Sequence, residues 1–176
     1  MKGQERGSVR QRVGPRFLLA SAGGVYTLLM QVRPASRGDL PWLLTQCRAF
    51  ARFYGSGMSL FPGDDAATAT LSVLIETQPF FVAEDAHGPA GFIVGLLSPH
   101  WMNQRIRTLA ELLWWVAEDR RGSSAGARLL DTFIAFGRDH ADWISFTLEA
   151  ASPVKHATLE RRGFRLHERA FLLEVA

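Results

Sequence analysis

The chain has 176 residues, 47% hydrophobic and 21% charged, a composition that fits a folded domain with a real core and excludes a disordered chain. Its net charge of +3 is concentrated at one end: residues 1–29 carry Lys2, Arg6, Arg10, Arg12 and Arg16 against Glu5, so the remainder is close to neutral and offers no basic stripe interleaved with aromatics for nucleic acid. Cys47 is the single cysteine, which rules out an internal disulfide and suits a reducing, cytoplasmic setting, and the five histidines show no spacing typical of metal ligands.

The segment "FLLASAGGVYTLLM" at 17–30 follows basic residues as a secretory signal would. Gly23, Gly24 and Thr27 interrupt its apolar run, and "ASA" follows only "FLL", too short a hydrophobic region. It is also shorter than the 18 or so apolar residues that a membrane span requires. Residues 1–29 are therefore read as a basic, disordered tail, with the domain over 30–176, and Met30 is an alternative start. "LLMQVRPA" reads as a strand ended by Pro34. A helix follows in "RGDLPWLLTQCRAFARFYG", with Asp39 as cap, Pro41 in the first turn and Gly55 at the end. "DDAATATLSVLIETQ" reads as a second helix whose Asp64 and Asp65 suit its N-terminal dipole. "FFVAED" and "AGFIVGLLS" are apolar strands joined by the hairpin-like "AHGP". After the loop "PHWMNQRIR" comes a long strand, "TLAELLWWVAE".

The small-residue turn Gly122-Ser123-Ser124-Ala125-Gly126 then leads into a helix over 126–139, striped by Leu129, Leu130, Phe133, Ile134 and Phe136. "WISFTLEA" reads as a strand. "SPVKHATLERRG" is a short helix with Ser152 as cap and Gly163 as stop. "FRLHER" and "AFLLEVA" read as closing strands. The order β-α-α-β-β-β-α-β-α-β-β defines a mixed α/β layered domain.

Small residues before a helix can cradle a phosphate on backbone N–H groups. The turn has neither the GK[ST] ending of a P-loop nor a full GxGxxG. It does match GxSxG, with Ser124 as a serine-hydrolase nucleophile. Against that, Glu118, Asp119, Arg120 and Arg121 separate the strand from the serine, and no oxyanion segment precedes it.

The run Arg121-Gly122-Ser123-Ser124-Ala125-Gly126, five residues after Val116, resembles the Q/R-x-x-G-x-G/A motif of the GNAT superfamily of acyl-CoA-dependent N-acetyltransferases. "VRPASRGDL" is similar to that family's opening strand and helix, "LLWWVAEDRRG" to its strand-to-loop passage, and "TLEA" with "LERRGFRLHERAF" to its closing segment. The resemblance spans about residues 30–176. One departure falls in the motif, where Ser124 stands for the middle glycine. Its Cβ restricts positive φ.

The resemblance implies the GNAT fold, a mixed sheet flanked by helices, and transfer of an acetyl group from acetyl-CoA to a primary amine of a small molecule or peptide. No metal, nucleic acid or membrane is implied, and a homodimer through the closing strands is the assembly it suggests. Trp114, Trp115 and Val116 would offer main-chain groups to the pantetheine arm. The amides of Arg121, Gly122, Ser123, Ser124, Ala125, Gly126 and Ala127 would hold the pyrophosphate, and Ser152 takes the place of a common coenzyme-contacting asparagine. Glu111 and Glu149 are the candidate bases. The family's usual tyrosine acid is replaced by Leu159, and His156, one turn earlier, is its candidate substitute. The missing tyrosine leaves open a non-catalytic acyl-CoA-binding module.

Overall fold

The computed structural model of the chain describes residues 29–54, 60–149, 152–171 and 173. The expected tail over 1–29 falls outside them save for Leu29, as does Gly55. Met30, only 7% exposed, already packs into the core.

Five strands form one sheet in the order β1-β2-β3-β4-β5. β1 is Gln31–Pro34, β2 Phe80–Asp85, β3 Gly88–Pro99, β4 Arg107–Val116 and β5 Trp143–Ser145. The first four pair antiparallel and β5 joins β4 in parallel. The period-2 alternation of apolar residues sends successive side chains to opposite faces, and each face carries helices. On one face α1 (Leu40–Tyr54) and α2 (Asp64–Thr77) bury Leu43 and Leu71 against Phe80, Val82, Phe92, Val94 and Trp115. On the other, α3 (Ala125–His140) buries Leu129 and Phe133 against Ala83, Ile93 and Leu109. A short α4 (His156–Glu160) sets Leu159 beside Leu130 and Ile134.

Three expectations are corrected. Asp39 does not cap α1. It ends a 3-10 turn, Arg37–Asp39, and its carboxylate accepts from Ser36 N–H (2.7 Å), Ser36 Oγ (2.9 Å) and the Arg33 guanidinium (2.8 Å), a pairing that holds its carboxyl below the usual range. Ser152 does not cap α4, which starts at His156. Its Oγ instead accepts the Val154 N–H at 3.2 Å, a local turn that competes with helix. The helix ends at Glu160, and the turn that follows closes at Gly163, with φ +91°, where the Phe164 N–H returns to the Leu159 carbonyl. Finally, "WISFTLEA" is strand only over Trp143–Ser145, and residues 164–169 lie in no strand. The alternation is present in both. Among the described residues, however, none after Ser145 pairs in the sheet, and Leu166 is 70% exposed. "AFLLEVA" falls partly outside the described residues.

Candidate active site

The site begins with a defect in β4. Val94 pairs with Leu113 and Gly95 with Glu111, which leaves Leu112 without a partner. Such a bulge bends its strand. Below it, β4 and β5 pair at Thr108–Trp143, Leu109–Ile144 and Ala110–Ser145. Above it the two segments diverge. A cleft of about 590 Å³ opens between residues 111–116 of β4 and residues 146–149.

Backbone alternation decides what β4 presents to this cleft. The Ala117 N–H donates to the Ala90 carbonyl at 3.0 Å. Trp115 and Leu113 therefore also turn their main chain to β3, whereas Trp114 and Val116 turn theirs to the open edge. Of the three β4 residues expected to offer main-chain groups, Trp115 is thus engaged elsewhere. Its side chain is buried on the α1 face, where the indole N–H donates to Gln46 Oε1 (3.1 Å) and the ring meets Phe50 and Phe53 edge-on. Trp114 lies on the α3 face against Phe146, and its Nε1 is buried with no partner among the described residues.

The small-residue turn stands at the mouth of the cleft. A 3-10 turn, Glu118–Arg120, precedes it. Gly122 has φ +84°, a conformation that glycine supplies without a Cβ clash. Ser124 takes φ −76° and ψ −2°, so the serine in the motif needs no positive φ. Ser123 Oγ accepts the Ala125 N–H (3.3 Å), and the Arg128 N–H closes on the Ser124 carbonyl (3.0 Å). The amides of Gly122, Ser124, Gly126 and Ala127 have no acceptor among the described residues. Four unpaired N–H groups at the start of a sixteen-residue helix form a site for an anion. The Arg121 guanidinium sits over the rings of Trp115 (4.7 Å) and Phe53 (5.4 Å), adding a cation at the same mouth.

Glu111 and Glu149 both line the cleft. Burial pushes the Glu111 carboxyl up to about 7, the Glu149 charge adds to the rise, and a hydrogen bond from the Thr147 backbone N–H opposes it. Arg121, Gly122, Ser123, Gly126 and Ser152 line the same space, while Ser124, Ala125, Ala127 and His156 do not. His156 is exposed at the start of α4, and Leu159 is buried in the core. No titratable side chain of α4 lines the cleft.

The sequence reading missed Phe50 and Thr147. Phe50 sits on an ordinary amphipathic stripe of α1, and Thr147 acts through its backbone, so neither leaves a local signal. Among the described residues no helix is long and apolar enough to cross a membrane, and no group of three His, Cys, Asp or Glu gathers to hold a metal.

No family model matches the chain, and no curated protein matches it in sequence. Solved structures do match. A transcriptional regulator from Bacillus halodurans C-125 superposes with a TM-score of 0.69 at 15% identity, over 84% of this chain and 100% of that one. A predicted acetyltransferase with acetyl-CoA from Clostridium acetobutylicum gives 0.64 at 15% identity, covering 83% and 96%. The ribosomal-protein-alanine N-acetyltransferase from Brucella melitensis biovar Abortus 2308 gives 0.63 at 13% identity, covering 84% and 100%. At these identities the likeness shows the fold, and the chain has the fold of the GNAT acetyltransferases.

Proposed function

We propose that this protein is an N-acetyltransferase that moves an acetyl group from acetyl-CoA to a primary amine. The observation that carries the reading is the splayed cleft, with unpaired amides at its mouth and a half-buried carboxyl within it. Several features of the cleft support coenzyme A. Its diphosphate matches the free N–H groups of Gly122, Ser124, Gly126 and Ala127. Its pantetheine amides match the outward main chain of Trp114 and Val116, and its narrow arm matches the gap between β4 and residues 146–149. When bound, the coenzyme supplies the activated thioester.

The chain's own groups do the rest. An amine attacks only when neutral, and Glu111, with its carboxyl near 7, is suited to remove the ammonium proton at working pH. Glu149 adds negative charge that draws a cationic acceptor inward. The new C–N bond forms as the C–S bond breaks. Glu111 passes that first proton, from the ammonium, on to solvent, the second nitrogen proton then goes to the freed Glu111 carboxylate, and the departing thiolate is protonated through solvent, since Leu159 and His156 supply no donor in the cleft. Small-molecule and peptide amines both remain in scope as acceptors, and the cytoplasm as the setting.

A serine hydrolase is disfavoured by geometry. A nucleophile elbow is sharply strained, whereas no non-glycine residue among those described has positive φ, and no hydrogen bond joins Ser124 Oγ to a histidine.

The test is thermal unfolding with and without acetyl-CoA, on wild type and on Gly126→Glu. A Cβ at Gly126 already lies 3.4 Å from both Trp114 and Val116, and the added carboxylate repels a diphosphate. Ligand at a hundredfold excess over Kd stabilises by about 2.7 kcal/mol, which is a shift of roughly 5–10 °C. A shift in wild type that disappears in Gly126→Glu supports the reading. No shift in either protein overturns it. Binding without turnover on any amine points instead to an acyl-CoA-binding module.

A further inference from the structure

Arg120 and Arg121 are neighbours in sequence but leave the turn in different directions. Arg121 lies on the α1 face over Trp115 and Phe53. Arg120 reaches the β2–β3 hairpin, where its guanidinium pairs with Asp85, 35 residues away. Both side chains are largely enclosed, at 17% and 13% exposure. The second Asp85 oxygen accepts the His87 N–H at 2.8 Å, so the carboxylate is fixed by its own turn before it meets the arginine. The guanidinium holds the Asp85 carboxyl below the usual carboxylate range.

The place of this pair matters more than its strength. β4 ends at Val116, and residues 117–124 lie in no strand or α-helix beyond one 3-10 turn. They run from the last β4 hydrogen bond, Ala117 to Ala90, to the first closure of α3, Arg128 to Ser124. Within that span one good turn bond, from the Arg120 N–H to the Ala117 carbonyl at 2.9 Å, holds the start, and beyond Arg120 the backbone has only longer local bonds, at 3.4 Å for Arg121 and 3.3 Å for Ser123. Four free amides converge on an anion only if the backbone presenting them is fixed in advance. A charged pair with matched geometry on both partners can supply that anchor.

We propose that Arg120 is a positioning residue, anchored on Asp85, that holds the 121–126 turn in the conformation that receives the coenzyme's diphosphate. The proposal rests on the acetyl-CoA reading above. It makes cofactor affinity depend on a hairpin that lines no part of the cleft. Neither residue touches the reacting atoms.

The experiment is calorimetric titration of coenzyme A and of acetyl-pantetheine, which lacks the diphosphate. The proteins are wild type, Arg120→Gln, Arg120→Lys, Asp85→Asn and the Asp85→Asn/Arg120→Gln double variant. Arg120→Gln and Asp85→Asn should each weaken coenzyme A about tenfold, a modest part of what misplacing a binding group can cost. The double variant should be no weaker than either single, Arg120→Lys should recover part of the loss, and acetyl-pantetheine should bind all proteins alike. Equal weakening of both ligands would assign the pair a general structural role and overturn the proposal, as would unchanged coenzyme A affinity. If wild type binds acetyl-pantetheine but not coenzyme A, the anchored turn is not a diphosphate site and the proposal fails alone. If wild type binds neither, the transferase reading fails and takes the proposal with it.

Discussion

The two halves of β4 share one strand and differ in everything that matters for chemistry. From Thr108 to Ala110 the strand is paired on both edges. Leu109 is fully buried there, and the Ile144 side chain packs so close to Gly137 that a Cβ on the glycine would lie 2.6 Å from it. From Glu111 to Val116 it keeps only the β3 partner, and its other edge opens on the cleft. The lower half spends its backbone groups on stability, and the upper half withholds them. A single unpaired residue, Leu112, separates the two regimes. A cleft of this kind can thus be built by interrupting a sheet rather than by adding a dedicated element.

The contrast is most sharply tested at its boundary. Glu111→Gln keeps the shape of the cleft and removes its base, so kcat should fall by about 10²- to 10⁴-fold, with little change in the KM for acetyl-CoA. Steady-state kinetics on any accepted amine would show it, and an unchanged kcat would reassign the base. The same group predicts a pH profile. With the working form ionised and the carboxyl near 7, kcat/KM should drop about tenfold per unit below that point, and the drop should vanish in Glu111→Gln. In the closed half, Gly137→Ala places its Cβ against Ile144 and Leu109. That overpacking should cost about 1–3 kcal/mol, read as a lower melting temperature with the acetyl-CoA shift retained. The smallest effect belongs to Ser124→Ala. The backbone there is ordinary αR and the amide does the binding, so coenzyme A affinity should be nearly unchanged. Complete loss of turnover with intact binding would instead revive a role for the hydroxyl.

The helices and the first four strands were legible because their signals are local. The stripe through Leu129, Leu130, Phe133 and Ile134 and the alternation through "FFVAED" each fall within one element, and the structure follows them closely. The turn at 121–126 was legible for the same reason. What sequence could not show depends on partners elsewhere. Asp39 looked like a cap because it precedes a helix, yet Arg33 claims it from β1. "FTLEA" alternates like a strand, but whether it pairs is decided by a bulge more than thirty residues earlier. Trp114 and Trp115 read alike in sequence, and only the register on β3 tells which one turns its backbone to the cleft. Glu111 and Glu149 were both identifiable as candidates. That burial raises the first could not be read from either, since it comes from the walls that surround it.

The enclosure of Glu111 also links catalysis to folding through the proton. Its carboxyl titrates near 7 in the folded chain against an ordinary 4.5, so between those values the native state holds a proton that the unfolded chain has lost. The stability this contributes is fully present below about pH 4.5 and is lost as pH rises through about 7. The ionised form that the proposed mechanism uses is therefore the form the fold tolerates least. Stability and turnover draw on opposite sides of one titration, and Glu111→Gln, inert as a base, should melt higher than wild type at pH 8.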